Sequence, residues 1–192
     1  MQAVDLLMGS GGALSHAPRR AQSMAMMIDA FRPEGVTRLG VDSIFMMPHL
    51  GVLSGIDREA ALEVFHRDCL VMLGTCIAPS GSLRWGKKSL EYRIQYDGGS
   101  EEGELAAGDM LRLPDTAGKT CAVEVEPRRG LDVGAGRSQT LEAECQGGQV
   151  GLVFDARGRP LELPEDPEEE TRHMREWARA LSLYPEGAYE EA

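Results

Sequence analysis

The feature that most constrains the fold of this 192-residue chain is a change of hydrophobic period near residue 78. Before it, apolar side chains recur at helical spacing between two short apolar runs, residues 4–8 and 36–41. After it, apolar and polar residues alternate, as in residues 89–96 and 119–126. Helices and strands place side chains with different periods, so one pattern does not fold as the other. The sequence therefore predicts an α/β segment followed by a β-rich segment.

The predicted α/β segment spans residues 1–77. Its first strand runs into a glycine cluster, and Pro18 fits the first turn of the helix that follows, where its missing N–H is harmless. Asp42-Ser43 follows the second strand, and we expect Asp42 to cap the next helix rather than to act in catalysis. Asp57 is expected to cap a further helix.

The predicted β-rich segment spans residues 78–164 and is punctuated by glycines. The glycine pairs at 98–99 and 147–148 supply the positive φ that hairpin turns require. Short alternating strands at this spacing predict a small antiparallel barrel or sandwich. The strand candidates are residues 89–96, 119–126, 139–145 and 149–155.

The remaining residues, 165–192, predict a C-terminal helix with an acidic tail. Asp166 is placed to cap it, and Pro167 occupies its first position. Met174, Trp177 and Leu181 belong to one apolar stripe, so the helix is expected to dock on the body of the protein. The predicted fold class is therefore α+β.

Composition excludes several classes of function. The net charge of −11 argues against a nucleic-acid-binding protein. No apolar run approaches the roughly 20 residues that span a bilayer, and a signal peptide is not recognisable, so we expect a cytoplasmic protein that does not enter membranes. The four cysteines form no metal-ligand pattern, and we expect reduced, buried thiols and no metal site.

The glycine cluster Gly9, Ser10, Gly11 and Gly12 stands between a predicted strand and a predicted helix. Glycines there let the backbone approach a ligand closely, and helix N-termini attract anions. The cluster matches neither the P-loop motif nor the complete dinucleotide-binding motif. From these residues alone, both a nucleotide-contacting turn and a plain strand-to-helix turn remain open.

Candidates for chemistry elsewhere are weak. His16 follows Ser15 without a nucleophile-elbow motif, and His49 lies in an apolar setting that favours a hydrogen-bonded core histidine. The glycine-rich residues 132–139 lie between strands and predict a bulged hairpin. No catalytic residue is predicted.

Asp155, Arg157 and Arg159 come together in sequence directly after a predicted strand. They predict either a local element of turns and exposed ion pairs or, as the sharper alternative, an arginine pair that contacts an anion or a partner protein.

Several stretches carry a resemblance to a known family. The chain resembles, in order and over nearly its whole length, the C-terminal part of the MutL family associated with glutamate mutase, which is distinct from the mismatch-repair protein of the same name. The stretches are LMGSGGALSHAPR, GVDSIFMMPHLGVLS, DCLVMLGTCIAPSG, LDVGAGRS, GGQVGLVFDARGRPLELP and REWARALSLYP.

The resemblance implies a place in the actin/hexokinase/heat-shock-protein-70 ATPase superfamily, with residues 1–77 as the remnant of an actin-like lobe. Family members are proposed to reactivate adenosylcobalamin-dependent aminomutases, which would be the partners. By this resemblance, Gly9, Ser10, Gly11 and Gly12 would contact the adenosine side of a nucleotide.

The superfamily's phosphate-binding loops have no counterpart here, and phosphoryl transfer needs positioned phosphates and a metal. The resemblance thus implies a truncated form, a shortened gene product or one half of a split protein. ATP or ADP would bind only with an N-terminal ATPase half, which could also pair with the strands at 4–8 and 36–41. Three functions follow: an interaction and regulatory part without ATPase activity alone, half of a split ATPase, or a stand-alone metabolite-binding β-domain that uses Arg157 and Arg159.

Overall fold

The structure is a computed structural model, and it describes residues 4–189. The strands are β1 (Leu6–Gly9), β2 (Gly35–Asp42), β3 (Leu70–Ala78), β4 (Lys88–Tyr96), β5 (Gly99–Ala106), β6 (Met110–Leu113), β7 (Thr120–Pro127), β8 (Leu141–Gln146) and β9 (Gly151–Asp155). The α-helices are α1 (Gly12–Ser15), α2 (Arg20–Phe31), α3 (Met47–Leu53), α4 (Arg58–Val64) and α5 (Pro167–Ala180). A π-helical turn, Phe65–Cys69, continues α4 into β3.

Five strands form a mixed sheet in the order β1-β2-β3-β9-β6. The pairs β1–β2 and β3–β9 are parallel, whereas β2–β3 and β6–β9 are antiparallel. Gly74 of β3 lies opposite Gly151 of β9 with a φ of 151°, and a Cβ atom on Gly74 would overlap the carbonyl oxygen of Gly151. The close approach of these two strands therefore requires glycine at residue 74.

The other four strands form an antiparallel sheet in the order β5-β4-β7-β8. Strands β4 and β5 are joined by a two-residue turn, because Tyr96 pairs with Gly99 and Gly98 has the positive φ expected in such a turn. The outer face of this sheet is rich in glutamate, and its apolar face turns inward.

The two sheets and the helices form three layers. Leu152 and Phe154 of β9 face the four-stranded sheet, where they pack in one cluster with Leu90 and Ile94. Val153, between them, faces the opposite side and packs with α2 and α5. The period-two alternation of a single strand thus supplies both cores of the protein. Neither sheet closes on itself, so the predicted barrel is wrong and the alternative of packed sheets in an α+β fold is confirmed.

Most of the predicted elements form close to their expected positions. Helices α2 and α5 bury most of the predicted stripes, but Phe31 and Met174 are half-exposed. The Asp57 and Asp166 side chains accept hydrogen bonds from the N–H groups of Ala60 and Glu168. Strands β4, β7, β8 and β9 correspond to the alternating segments. In contrast, β3, β5 and β6 had not been predicted.

The predicted limit between residues 77 and 78 falls at the end of β3. Strands β6 and β9 come from the predicted β-rich segment, yet they complete the sheet that β1, β2 and β3 begin. The glycine pair 147–148 joins β8 to β9 and so connects the two sheets, which corrects the hairpin predicted there. The limits of the three predicted segments stay a prediction.

The four cysteines are buried and free, as predicted. Burial raises the pKa of each thiol, to about 12 for Cys76 and about 11 for Cys145. Within residues 4–189, no group of potential ligands is placed to hold a metal ion, and no helix has the length and apolar character needed to cross a membrane.

We expect these thiols to be unreactive in the folded protein, because thiol reagents attack the thiolate and need access to it. A disulfide reagent should label fewer than one cysteine per chain at neutral pH and all four in denaturant. Rapid labelling of two or more cysteines in the native protein would contradict the buried positions. Far-UV circular dichroism, recorded during labelling, controls for unfolding.

Candidate functional site

The candidate site lies where two parallel strands end side by side. Leu6–Gly9 of β1 pairs in parallel with residues 38–41 of β2, so the turn after β1 and Asp42 at the end of β2 meet at one edge of the sheet. Gly11 precedes α1 with a φ of 132°, a backbone conformation that favours glycine. Its carbonyl oxygen accepts hydrogen bonds from the N–H groups of Leu14 and Ser15. The predicted strand–turn–helix unit is therefore formed.

Asp42 links the glycine turn to the next helix. Its Oδ2 atom accepts a hydrogen bond from the Ser10 hydroxyl at 3.1 Å and another from the N–H of Met47 at 2.7 Å, while its backbone carbonyl accepts one from Ser15 Oγ at 2.7 Å. Burial alone raises the pKa of this carboxyl, but the hydrogen bonds from Met47 and Ser10 outweigh it, and the pKa lies below its ordinary value of 3.8. Asp42 thus accepts a hydrogen bond from the first N–H of α3, as expected of a capping side chain, but the N-cap residue itself is Met46.

The glycines of the turn differ in what surrounds them. Gly9 is buried, and a Cβ atom there would lie 2.6 Å from Leu14 Cδ1. Gly11 and Gly12 face open space, with no atom within 4 Å of a Cβ built on either. Packing therefore explains the glycine at residue 9, but it does not explain the glycine at residue 12.

A groove of about 440 Å³ begins beside this turn. Gly12 and His16 line its start, and the ring of Tyr184 lines its opposite wall. The exposed His16 ring has its Nδ1 atom 3.0 Å from the carbonyl oxygen of Gly12. His16 thus lies beside the glycine turn, and the hydroxyl of its neighbour Ser15 donates to the Asp42 carbonyl rather than to the imidazole.

Residues 43–69 leave the sheet as a helical hairpin, which we call the α3–α4 hairpin. Its ends are joined by a hydrogen bond from Ser43 N to Cys69 O, and Leu50 is among its few buried apolar side chains. His49 is exposed on α3, so the predicted core histidine is wrong. The large apolar side chains that the hairpin leaves exposed are Ile44, Phe45, Met47, Val52, Ile56 and Leu62.

Comparison with known proteins relates this part of the chain to a known family. A family model described as MutL protein matches residues 1–69. Over these 69 residues, which are less than half of the chain, the sequence is similar to the MutL family. No curated protein and no solved structure matches the chain. The MutL segment, residues 1–69, contains the glycine turn, Asp42 and the α3–α4 hairpin, and it ends where β3 begins.

The two predicted arginines lie beyond the MutL segment, in a buried ion cluster. Arg157 donates to Asp155 through Nε at 2.9 Å and Nη2 at 2.8 Å, and Nη2 also donates to Asp29 at 2.7 Å. Arg159 donates through its three nitrogens to Asp155, the Pro33 carbonyl and the Gly158 carbonyl. Asp155, Arg157 and Arg159 are buried, which corrects the expectation of exposed ion pairs, whereas Asp29 is exposed at the edge of the cluster.

An anion contact by Arg157 and Arg159 stays a prediction, and the two arginines differ in whether a nitrogen is available for it. Every side-chain nitrogen of Arg159 has an acceptor within the protein, which argues against a contact with any ligand. In Arg157, the Nη1 nitrogen has no hydrogen-bond acceptor among the described residues. No local pattern in the sequence indicates that Asp29 of α2 would be an acceptor, because it lies 128 residues away from Arg157.

We expect Asp42→Ala to loosen the glycine turn and the start of α3 together, because one carboxylate holds both. The free energy of unfolding should fall by about 1–2 kcal/mol, as for the loss of a helix cap. Hydrogen exchange should rise at residues 10–15 and 43–47. Asp57→Ala, which removes the cap of α4, is the matched control and should leave exchange at residues 10–15 unchanged; equal exchange in both variants would contradict the link.

We expect Asp155→Asn to lower the free energy of unfolding by about 3–5 kcal/mol, because it leaves two buried guanidinium groups without their shared carboxylate. Burial alone raises the pKa of Asp155, but the two arginines hold it below 3.8. In the unchanged protein this stabilisation should therefore be present above that value and be lost as the pH falls through the lower pKa of the folded state. Urea titrations at several pH values measure both effects.

Asp68→Asn is the control for that variant, because Asp68 pairs with Arg67 on the surface. It should change stability little. Equal effects of the two substitutions would show that the buried cluster contributes no more than an exposed pair.

Proposed function

We propose that the chain is the C-terminal portion of a MutL-type reactivating factor for an adenosylcobalamin-dependent aminomutase such as glutamate mutase. It acts in the cytoplasm as an interaction and regulatory part, without ATPase activity of its own. The similarity of residues 1–69 to the MutL family supports the MutL origin. The mutase and the reactivating role follow from the resemblance set out above and are part of the proposal.

The observation that carries the interaction role is the exposed apolar surface of the α3–α4 hairpin. Val52 is 75% exposed and Ile56 is 86% exposed, and both lie within the MutL segment. Large apolar side chains that are exposed together in one short segment are typical of protein-binding sites. Phe45, in the same hairpin, is half-exposed and has a φ of 57°, a strained conformation for a large side chain. Such strain is often found at functional sites.

The nucleotide part of the proposal rests on the glycine turn. Gly11 and Gly12 leave room for a ligand to approach the backbone, and the groove that starts there is lined largely by apolar atoms. This suits the adenosine side of ATP or ADP. The phosphates and their metal would be held by the N-terminal ATPase half, which is the second proposed partner.

The interaction role is tested by titrating the full chain into an adenosylcobalamin-dependent aminomutase and measuring heat of binding. We expect binding that Val52→Asp and Ile56→Asp each weaken by about tenfold, since each buries a charge in the apolar contact. Phe31→Asp adds the same charge on α2, outside the hairpin, and should not change the affinity. Equal weakening by all three, or no binding by the unchanged chain, would refute the proposal.

A second candidate function is half of a split ATPase, which the open glycine turn favours. We expect the purified chain alone to show no ATP turnover and to gain it when mixed with an N-terminal half that carries the phosphate loops. Gly12→Val should leave stability unchanged, because its Cβ faces open space, but should reduce turnover of the mixture by blocking the turn.

Turnover by the chain alone would refute the first proposal, and no turnover by the mixture would refute the second. Tyr184→Ala, on the opposite wall of the groove, tests whether the adenosine moiety extends into it. A third function is a stand-alone metabolite-binding domain, for which Arg157, of the two arginines in the buried ion cluster, retains a nitrogen without an acceptor.

A further inference from the structure

The buried ion cluster borders a cavity on the helix side of the five-stranded sheet. The cavity has a volume of about 330 Å³ and lies between α2, α5 and the segment that follows the cluster. Its walls are mainly apolar, and the side chains that form most of them are Met110, Leu161, Leu163, Met174, Trp177 and Leu181. Volumes near this value are at the lower end of those found for small-molecule sites.

Arg157 forms part of the cavity wall although the residue is only 4% exposed. Because Nε and Nη2 both bond to Asp155, the Nη1 atom lies on the opposite edge of the planar guanidinium. Among the described residues, Nη1 has no hydrogen-bond acceptor, and it is not one of the solvent-inaccessible unbonded atoms, so it reaches open space. The central carbon of the guanidinium lies 4.9 Å from the centre of a Trp177 ring, which fixes its orientation.

The local charge favours an anion. The cluster and the cavity wall contain three arginines, Arg32, Arg157 and Arg159, but two aspartates, Asp29 and Asp155, which leaves one excess positive charge. This excess stands out in a chain with a net charge of −11. A charge-assisted hydrogen bond to Nη1 would supply the acceptor that the protein itself does not provide.

We propose that this cavity binds a small organic monocarboxylate with an apolar body. The carboxylate accepts a hydrogen bond from Nη1 of Arg157, and the apolar body packs against Trp177 and the leucine and methionine side chains of the wall. A single charged contact and a small cavity suit one carboxylate better than a phosphate, whose additional charge would meet Asp29 and Asp155. The cavity does not include the glycine turn, although it shares Ala25, Asp29 and Leu183 with the groove that begins there. The inference does not depend on the function proposed above.

The test is a titration of the full chain with octanoate, followed by NMR of the Trp177 indole N–H and the Met174 methyl group. We expect both signals to shift and saturate. Octan-1-ol has the same chain without the charge and should bind about tenfold more weakly or worse, as the loss of a charged hydrogen bond predicts. Trp85→Phe assigns the two indole signals, since the chain has two tryptophans.

Two variants test the location without removing Arg157, which the fold needs. Leu163→Asp puts a negative charge at the cavity wall and should weaken octanoate binding by about tenfold or more. Val52→Asp makes the same change at a distant exposed position and should have no effect. No saturable shift, equal affinity for octanoate and octanol, or equal effects of the two variants would each overturn the proposal.

Discussion

The buried pairing of Asp155 with Arg157 and Arg159 is the interaction on which the layers of this protein depend. Asp155 ends β9, a strand inside the five-stranded sheet. Arg157, which is bonded to Asp155, also donates to Asp29 on α2 and lies over the ring of Trp177 on α5. One carboxylate thus connects the sheet to both packed helices. Removing charges from water is costly, so such a cluster is stable only when nearly every donor has an acceptor. In this cluster Nη1 of Arg157 has no acceptor among the described residues, and Arg157 lines a cavity.

At the other end of the sheet a second buried aspartate, Asp42, holds the glycine turn through its Oδ2 atom, while its Oδ1 atom has no hydrogen-bond partner among the described residues. The parallel pairing of β1 and β2 brings the ends of both strands to one edge, and Asp42 then holds Ser10 and the start of α3. Edges of this kind, outside the carboxyl ends of parallel strands, are common ligand positions. The α3–α4 hairpin leaves from this edge, so a partner bound on its apolar surface would lie next to the turn.

Hydrophobic periodicity predicted the elements whose burial follows a simple pattern. Helix α2, helix α5 and strands β4, β7 and β8 each have one buried face, and the spacing of apolar residues follows that face directly. Strand β5 is not predicted from the sequence, because GSEEGELA has little apolar alternation. Its backbone pairing with β4 holds it in the sheet instead. Strand β6 is too short for a period to appear. Burial of β3 on both faces removed the alternation that would have marked it.

By itself, the sequence determined the helix caps at Asp57 and Asp166, the strand–glycine–helix unit, the α+β class and the similarity of the first 69 residues to the MutL family. These depend on residues close together in the chain, whose local geometry is fixed by few dihedral angles. Tertiary structure decided that β6 and β9 would join the first three strands, and that Arg157 would bond to Asp29 and be buried rather than exposed. Strand order and buried ion pairing depend on contacts between residues far apart in sequence, and no local pattern specifies which distant partner a strand or a charge will meet.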